Sequence, residues 1–227
     1  MRDRLFNKEA AVAEDIWPTI HAERQSLADD LAGLTDAQWQ TPSLCSRWNV
    51  HQVLAHMVGT AKMTPPKFLA KFAAAGFAFD RFADKEIATQ GAGGPAATLA
   101  EFRAVQNRAS APPGPRATWL GEVFVHAEDI RRPLGIAHSY PADQVVRVIR
   151  LYAGSNAIIG GKKRVFGLTL RATDTDLSLG SGPLVQGPVI SLLLVTAGRG
   201  AALAELAGPG LRVLQGRLMG SDGSKAG

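Results

Sequence analysis

Residues 118–134 read TWLGEVFVHAEDIRRPL, a stretch that predicts a helix with two potential metal ligands on one face. Glu122 and His126 are four residues apart, and on a helix this spacing brings their Cβ atoms to within about 6 Å of each other. Most of their neighbours are apolar, so the pair is expected to face the protein interior, where a carboxylate needs a partner. From spacing alone, that partner is either a metal ion or the histidine itself in a buried Glu–His hydrogen bond.

Composition indicates a folded protein of one large domain or two small ones, with 227 residues, 46% hydrophobic and 20% charged. The net charge is +5, but the chain has no basic run longer than residues 162–164, whereas nucleic-acid binding needs a clustered basic face. The apolar runs are shorter than the roughly 20 residues of a spanning helix. A single cysteine, Cys45, fits a reducing compartment. We therefore expect a cytoplasmic monomer or weak homodimer that binds neither nucleic acid nor membrane.

Helical periodicity dominates the N-terminal part of the sequence. It predicts helices over residues 9–33, with a kink or start near Trp17-Pro18, and over 50–62, 64–87 and 96–110, before the helix at 118–134. The links between the long helices are short, which suggests an antiparallel four-helix bundle whose metal sites form from inward side chains on facing helices.

The helix predicted at residues 50–62, with Asn49 as its cap, carries two histidines. His51 and His56 are five residues apart, so on a straight helix they point roughly 140° apart and cannot share one metal ion. His56 is flanked by Val53 and Met57 and is the inward candidate.

The pattern changes after Tyr140, where helices and strands alternate over shorter lengths. It predicts a helix at 141–158, strands at 164–172 and 175–179, a loop at 180–187, helical pieces at 188–197 and 201–206, and a last strand at 211–215. The fold class is therefore α+β, with a metal-binding four-helix bundle at 1–138, a small α+β domain at 139–220 and a disordered tail at 221–227.

Three residues on the predicted bundle form a candidate metal site: His56, Glu122 and His126. Two imidazoles and one carboxylate suit zinc, and three protein ligands leave coordination positions open, as in catalytic sites. The same donors could hold iron, nickel or manganese.

Two segments resemble the signatures of the mycothiol-dependent maleylpyruvate isomerase family, whose N-terminal domain is a DinB-like four-helix bundle. They are SLCSRWNVHQVLAHM at 43–57 and GEVFVHAEDIRRPLG at 121–135. A third segment, GPVISLLLVTAGRGAAL at 187–203, is similar to the family's sterol-carrier-like C-terminal domain. The resemblance implies a divalent metal, usually zinc, on His56, Glu122 and His126, with mycothiol as the thiol cofactor.

The same resemblance implies an enzyme acting on a small electrophilic substrate. The thiolate of mycothiol would add to an activated cis double bond, and rotation followed by elimination would give the trans isomer; related members transfer the thiol to other electrophiles. Two alternatives stay open, a metal-dependent hydrolase that uses a metal-bound water and a non-catalytic ligand-binding or stress-response protein on the same scaffold.

Several other polar residues have roles that the sequence leaves between two interpretations. Arg199 is the candidate catalytic residue, as an anion-binding group for a dicarboxylate-like substrate, or it is a surface arginine at a helix end. Asp129 could orient a metal ligand, but a simple pairing with Arg132 is favoured. Cys45 is predicted to be a small buried hydrophobe, and no chemical role is expected for His21, His51 and His138.

Overall fold

The structure, a computed structural model, describes residues 15–157 and 159–222 and has an α+β fold with a helical N-terminal part. The N-terminal helices are α1 Trp17–Asp30, α2 Asp36–Trp39, α3 Val50–Lys62, α4 Pro65–Ala74, α5 Phe79–Gly91, α6 Gly94–Val105 and α7 Ala117–Arg131. After them come α8 Ala142–Gly154, α9 Gly161–Val165, α10 Val189–Thr196, the 3₁₀ helix Gly200–Glu205 and α11 Leu211–Asp222. None of the described helices is both long and apolar enough to cross a membrane.

The N-terminal bundle is formed by α1, α3, α6 and α7, with α5 packed against α3. Helix α3 has the predicted bounds because Asn49 caps it: its side chain accepts a hydrogen bond from the Gln52 backbone N–H, and the Gln52 side chain accepts one from the Asn49 N–H. Helix α1 begins at Trp17, next to Pro18, as predicted. The predicted helical residues 9–14 lie outside the described part of the chain.

The helix predicted at 64–87 is two helices, α4 and α5, that meet at a sharp turn. Gly76 and Phe77 both have a positive φ, 67° and 58°, which breaks the helical path. The turn is covered by an aromatic cluster in which the Phe68 and Phe82 rings lie 5.4 Å apart.

The C-terminal part contains one three-stranded sheet in the order β2–β1–β3, formed by β1 Thr169–Ala172, β2 Ser178–Gly180 and β3 Leu184–Gly187. Strand β1 pairs antiparallel with β2 and parallel with β3. The strands predicted at 164–172 and 175–179 correspond to β1 and β2, which begin later, at Thr169 and Ser178. Residues 164–165 of the first predicted strand belong to α9 instead. Two predictions are wrong: the loop predicted at 180–187 contains β3, and the strand predicted at 211–215 begins helix α11.

Helix α7 joins the N-terminal and C-terminal parts through a shared hydrophobic core. Its Leu120, Val123 and Phe124 pack into the same cluster as residues of α8, the sheet and α10, whereas Ala127 and Ile130 pack into the core of the bundle. Gly121 permits the close approach to α8, because a Cβ at this position would lie 2.1 Å from Tyr152 Oη. The hydrophobic core is therefore continuous across residue 138, the predicted domain boundary. Helix α11 extends to Asp222, so it includes the first two residues of the predicted tail. Residues 223–227 of that tail lie outside the described chain.

Candidate metal centre

A polar recess lies between α3 and α7, formed by His56 and Thr60 on α3 and by Glu122 and His126 on α7. These four residues remain partly accessible, whereas most other residues of the two helices are buried. The i, i+4 spacing on each helix stacks each pair on one face, and the two faces meet because α3 packs against α7. The structure thus places His56 against His126, with Glu122 one helical turn before His126 on the same face of α7.

The two histidines of the polar recess are in ring contact. The ring centroids of His56 and His126 are 4.8 Å apart at an interplanar angle of 72°. The indole of Trp48 covers both rings, with centroids 5.0 Å from His56 and 6.4 Å from His126. An apolar aromatic face over two imidazoles shields this side of the recess from water.

The loop of residues 43–48, which carries Trp48, is closed on itself and clasped to α5. Ser43 Oγ donates to the Trp48 carbonyl at 2.7 Å, so the loop ends are tied together. Arg47 reaches across to α5, where its guanidinium lies 2.9 Å from Asp80 Oδ1 and 2.7 Å from Asp84 Oδ2. The position of Trp48 over the histidines is therefore held from both sides.

Behind His126 lies a buried chain of polar contacts. His126 Nδ1 is 2.9 Å from Asp129 Oδ2, and Arg199 binds the same carboxylate with two hydrogen bonds, Nε to Oδ1 at 2.9 Å and Nη2 to Oδ2 at 2.7 Å. The predicted pairing of Asp129 with Arg132 is wrong, because Arg132 turns to Glu128, at 2.6 Å, and to Glu205. With Nδ1 held by a carboxylate, the Nε2 atom of His126 is the one available as a ligand.

Arg199 is fully engaged in this arrangement. Besides its two bonds to Asp129, its Nη1 donates to the Ala197 carbonyl at 3.0 Å. The role of Arg199 as a catalytic, anion-binding residue stays a prediction, while its observed partner is a carboxylate of the protein itself. The sequence analysis did not predict Asp129 as the partner of Arg199.

Burial shapes the protonation of the polar recess. Burial raises the pKa of Glu122 above its ordinary value against the opposing effects of His126, Arg24 and a hydrogen bond from Thr60. Burial, together with the neighbouring His126, lowers the pKa of His56 to about 3. His56 is therefore a neutral imidazole at physiological pH, which is the form that binds metals.

The buried carboxylate of Asp129 behaves in the opposite way. Burial alone would raise its pKa, but the charge of Arg199 and the hydrogen bonds from His126 and Arg199 lower it below the ordinary range. Asp129 is thus an anion that orients His126. At Glu122, the neighbouring charges and the hydrogen bond from Thr60 do not offset the effect of burial on the pKa.

The donor set of the polar recess fits a divalent metal ion in its chemistry. Glu122 Oε1 is buried and has no hydrogen-bond partner among the described residues, which suits an oxygen that binds a metal ion. In the described chain, however, no three His, Cys, Asp or Glu side chains are arranged to hold a metal ion. The ligand set of His56, Glu122 and His126 therefore stays a prediction.

The other histidines and the cysteine lie outside the polar recess. His51 Nε2 is 2.9 Å from Thr98 Oγ1, so His51 points away from His56 as its position on the helix predicts. His138 pairs with Glu23. Cys45 packs against the core of the bundle, and burial raises the pKa of its thiol, so it is a protonated, apolar contact rather than a nucleophile.

Sequence reasoning missed three residues around the polar recess: Thr60, Trp48 and Arg24. Thr60 could have been found, since it lies one helical turn after His56. Trp48 lies in the loop before α3, where helical spacing does not predict which way a side chain points. Arg24 lies at an apolar position of α1, between Ile20 and Leu27, where a basic side chain is the only signal.

Comparison with known proteins identifies relatives of both the sequence and the fold. Residues 20–129 match the family described as the mycothiol maleylpyruvate isomerase N-terminal domain. A solved mycothiol-dependent maleylpyruvate isomerase has 15% sequence identity and a TM-score of 0.58, over 85% of this chain and 91% of that one. A solved histidine-to-alanine mutant of such an isomerase has 16% identity and a TM-score of 0.59 over the same shares. No curated protein matches the sequence.

Proposed function

We propose that this chain is a metal-dependent enzyme that uses mycothiol to isomerise a small electrophilic substrate, because residues 20–129 match the family model of the mycothiol maleylpyruvate isomerase N-terminal domain. The observation that carries the proposal is the polar recess itself. Two imidazoles and a buried carboxylate oxygen without a hydrogen-bond partner lie between α3 and α7, in a fold shared with solved isomerases of this kind. We propose His56, Glu122 and His126 as the ligands and zinc as the ion.

A divalent ion held by these residues would supply a Lewis acid that favours the thiolate form of the external thiol. The residues of the chain prepare this chemistry. Asp129 accepts a hydrogen bond from His126 Nδ1 and so keeps the Nε2 lone pair turned towards the recess. Arg199 holds Asp129 in its charged form, because the two hydrogen bonds and the positive charge stabilise the carboxylate.

The proposed reaction consumes no thiol. The thiolate sulfur forms a bond to one carbon of an activated cis double bond, and the electron pair moves onto the activating carbonyl group. Rotation about the new single bond follows, the electron pair returns, and the carbon–sulfur bond breaks to release the trans isomer and the thiolate. Trp48 contributes by covering His56 and His126 on one side, which limits the access of water to the reacting groups.

Glu122→Gln tests the ligand set and the activity together. The variant is expected to lose at least about tenfold in metal affinity, because a charged ligand becomes a neutral amide, and to lose thiol-dependent isomerisation with it. Elemental analysis of protein purified without chelator, and isomerisation of a cis-configured electrophile with and without mycothiol, are the measurements.

Folding provides a separate check on Glu122→Gln. Removing a carboxyl group that burial disfavours should leave the metal-free protein at least as stable as the wild type. The matched control is Glu101→Gln, which breaks the partly exposed ion pair with Lys62 and should keep both metal and activity. Full metal content in Glu122→Gln would contradict the proposed ligand set. Activity of the wild type that persists without thiol would favour a metal-dependent hydrolase instead.

A further inference from the structure

Helix α4 is an apolar helix that the rest of the described chain does not cover. Its sequence, PPKFLAKFAA, has Lys67 and Lys71 as its only polar side chains, yet none of its ten residues is buried. Phe68 and Phe72 form the side that packs against Phe82 of α5. A helix that is apolar on all sides is normally covered on all sides. The outer side of α4 therefore lacks a partner among the described residues.

The hairpin formed by α4 and α5, residues 65–91, presents large apolar side chains to solvent. On α4, exposed apolar residues follow one another at i, i+3, i+4 and i+7, which places them within roughly 100° of each other around the helix. The exposed fractions of Leu69, Phe77 and Phe79 are 62%, 72% and 59%, and these are three of the six large hydrophobic residues exposed in the described chain. We call the exposed apolar residues of this hairpin the hairpin face: Pro66, Leu69, Ala70, Ala73, Phe77 and Phe79. Exposed apolar residues concentrated in this way mark an interaction site.

Phe77 is held in a conformation that disfavours its residue type. Its φ of 58° lies in the left-handed region, where a bulky side chain is an outlier and glycine or asparagine is favoured. Its ring is 5.6 Å from that of Phe72, at the margin of the aromatic cluster, and most of the side chain stays in solvent. Burial therefore does not offset the backbone strain, and uncompensated strain of this kind is typical of functional positions.

The charged residues of the hairpin leave a surplus of positive charge. Its acidic side chains all have basic partners, at 2.6–2.9 Å: Asp80 and Asp84 pair with Arg47, and Glu86 pairs with Lys71. The exposed cations of the hairpin that have no ion pair among the described residues are Lys67, Arg81 and Lys85. Lys67 lies on α4 itself, next to the exposed apolar side chains. The hairpin thus combines an apolar face with positive charges that no described acid offsets.

We propose that the hairpin face is the surface by which this protein binds an anionic lipid bilayer. Elements that lie at a membrane interface combine exposed aromatic and aliphatic side chains with basic residues, which anionic lipids attract. A second copy of the chain fits this face less well, because a symmetric contact would bring the unpaired cations of two hairpins together.

This proposal differs from the expectation that the chain binds no membrane. That expectation depends on the length of the apolar runs, which tests for a helix that spans the bilayer and not for a face that lies at its surface. The proposal does not depend on the proposed function, because no residue of the hairpin face belongs to the polar recess.

Flotation of the full chain with lipid vesicles tests the hairpin face. The wild type should bind equimolar phosphatidylcholine–phosphatidylglycerol vesicles more tightly than phosphatidylcholine vesicles, and salt should weaken the binding, because exposed charges are screened. Phe77→Asn and Leu69→Gln should each lower the affinity about tenfold, since each removes a large side chain from the apolar contact. Lys67→Gln should lower the affinity for the anionic vesicles about fivefold and leave that for phosphatidylcholine unchanged.

Phe166→Asn is the matched control, because it removes a phenylalanine that is 70% exposed but lies outside the hairpin. It should bind vesicles as the wild type does. Phe77→Asn should melt no lower than the wild type, since asparagine tolerates the left-handed backbone better than phenylalanine. If Phe77→Asn does not fold, Leu69→Gln decides the question, because its site is on a regular helix.

Four results would overturn the proposal. They are a wild type that does not float with vesicles, an affinity that phosphatidylglycerol does not increase, variants Phe77→Asn and Leu69→Gln that bind as the wild type does, and a wild-type dimer without vesicle binding that these two variants convert to a monomer. The last result, measured by analytical ultracentrifugation, would assign the hairpin face to a second copy of the chain. Thiol-dependent turnover in vesicle-free solution tests the proposed function separately, and Phe77→Asn should leave it unchanged.

Discussion

Asp129 is the residue on which the order of the site depends. It is fully buried, and it binds His126 from α7 on one side and Arg199 from the C-terminal part on the other. A buried carboxylate with one partner would be costly, but here a bidentate arginine supplies the charge and the histidine takes the remaining lone pair. The geometry of His126 is therefore tied to a residue 70 positions away in sequence.

Asp129→Asn tests this dependence. The amide cannot balance Arg199, whose side chain is only 18% exposed, so an uncompensated buried cation remains. We expect the free energy of unfolding of the metal-free protein to fall by about 3–5 kcal/mol, measured by urea unfolding. Asp176→Asn, at an exposed carboxylate on the turn before β2, is the control and should change little. A loss no greater than that of the control would mean that the buried pair contributes little to stability.

At the scale of helices and strands, the sequence predicts best where a local signal decides the structure. Helix α3 has its predicted bounds because Asn49 and Gln52 cap it, and α7 is predicted by its apolar periodicity. Strand β3 was missed because its four residues, which end at Gly187, carry no local strand signal and become a strand only by pairing with β1. Helix α11 was missed because its first residues also alternate like a strand.

The residues of the candidate site were likewise predictable only where spacing along one helix decides their position. His56, Glu122 and His126 follow from helical spacing, since each helix fixes which side chains share a face. The contacts of Asp129 with Arg199, and of Trp48 with the two histidines, depend on how separate elements pack, which spacing along one helix does not specify. Arg132, three residues from Asp129, was the natural partner by local reasoning, yet a bidentate partner from another element displaced it.

The loop of residues 43–48 is expected to open more often in Arg47→Ala. Its clasp to α5 is made of exposed ion pairs, which contribute about 0.2–1 kcal/mol, so the melting temperature should hardly change. The local effect should be clear: hydrogen exchange, followed by mass spectrometry, should become faster at residues 44–48. Arg81→Ala, an exposed arginine on α5, serves as the control. Unchanged exchange in Arg47→Ala would show that Ser43 alone holds the loop.

At the scale of the whole molecule, the C-terminal part supplies side chains that bind residues of α7 next to the polar recess. Two polar links join α7 to the segment around α10 and the 3₁₀ helix: Asp129 with Arg199, and Arg132 with Glu205 and Ser191. Both lie at the same end of α7, directly after His126. Because the hydrophobic core is also continuous through α7, movement of the C-terminal part would displace the residues that orient His126.

The link between Arg132 and Glu205 should make this coupling depend on pH. Burial would raise the pKa of Glu205, but its hydrogen bonds with Ser191 and Arg132 lower it below the ordinary value of 4.5. A lowered pKa in the folded state means that the stabilisation is present above pH 4.5 and is lost as the pH falls through the folded value. Glu205→Gln should therefore melt at a lower temperature than the wild type at neutral pH, and the difference should shrink in acid. Ser191→Ala keeps the carboxylate and should show a weaker version of the same trend, as followed by circular dichroism across the pH range. A difference in melting temperature that stays constant with pH would mean that Glu205 acts through packing and not through its charge.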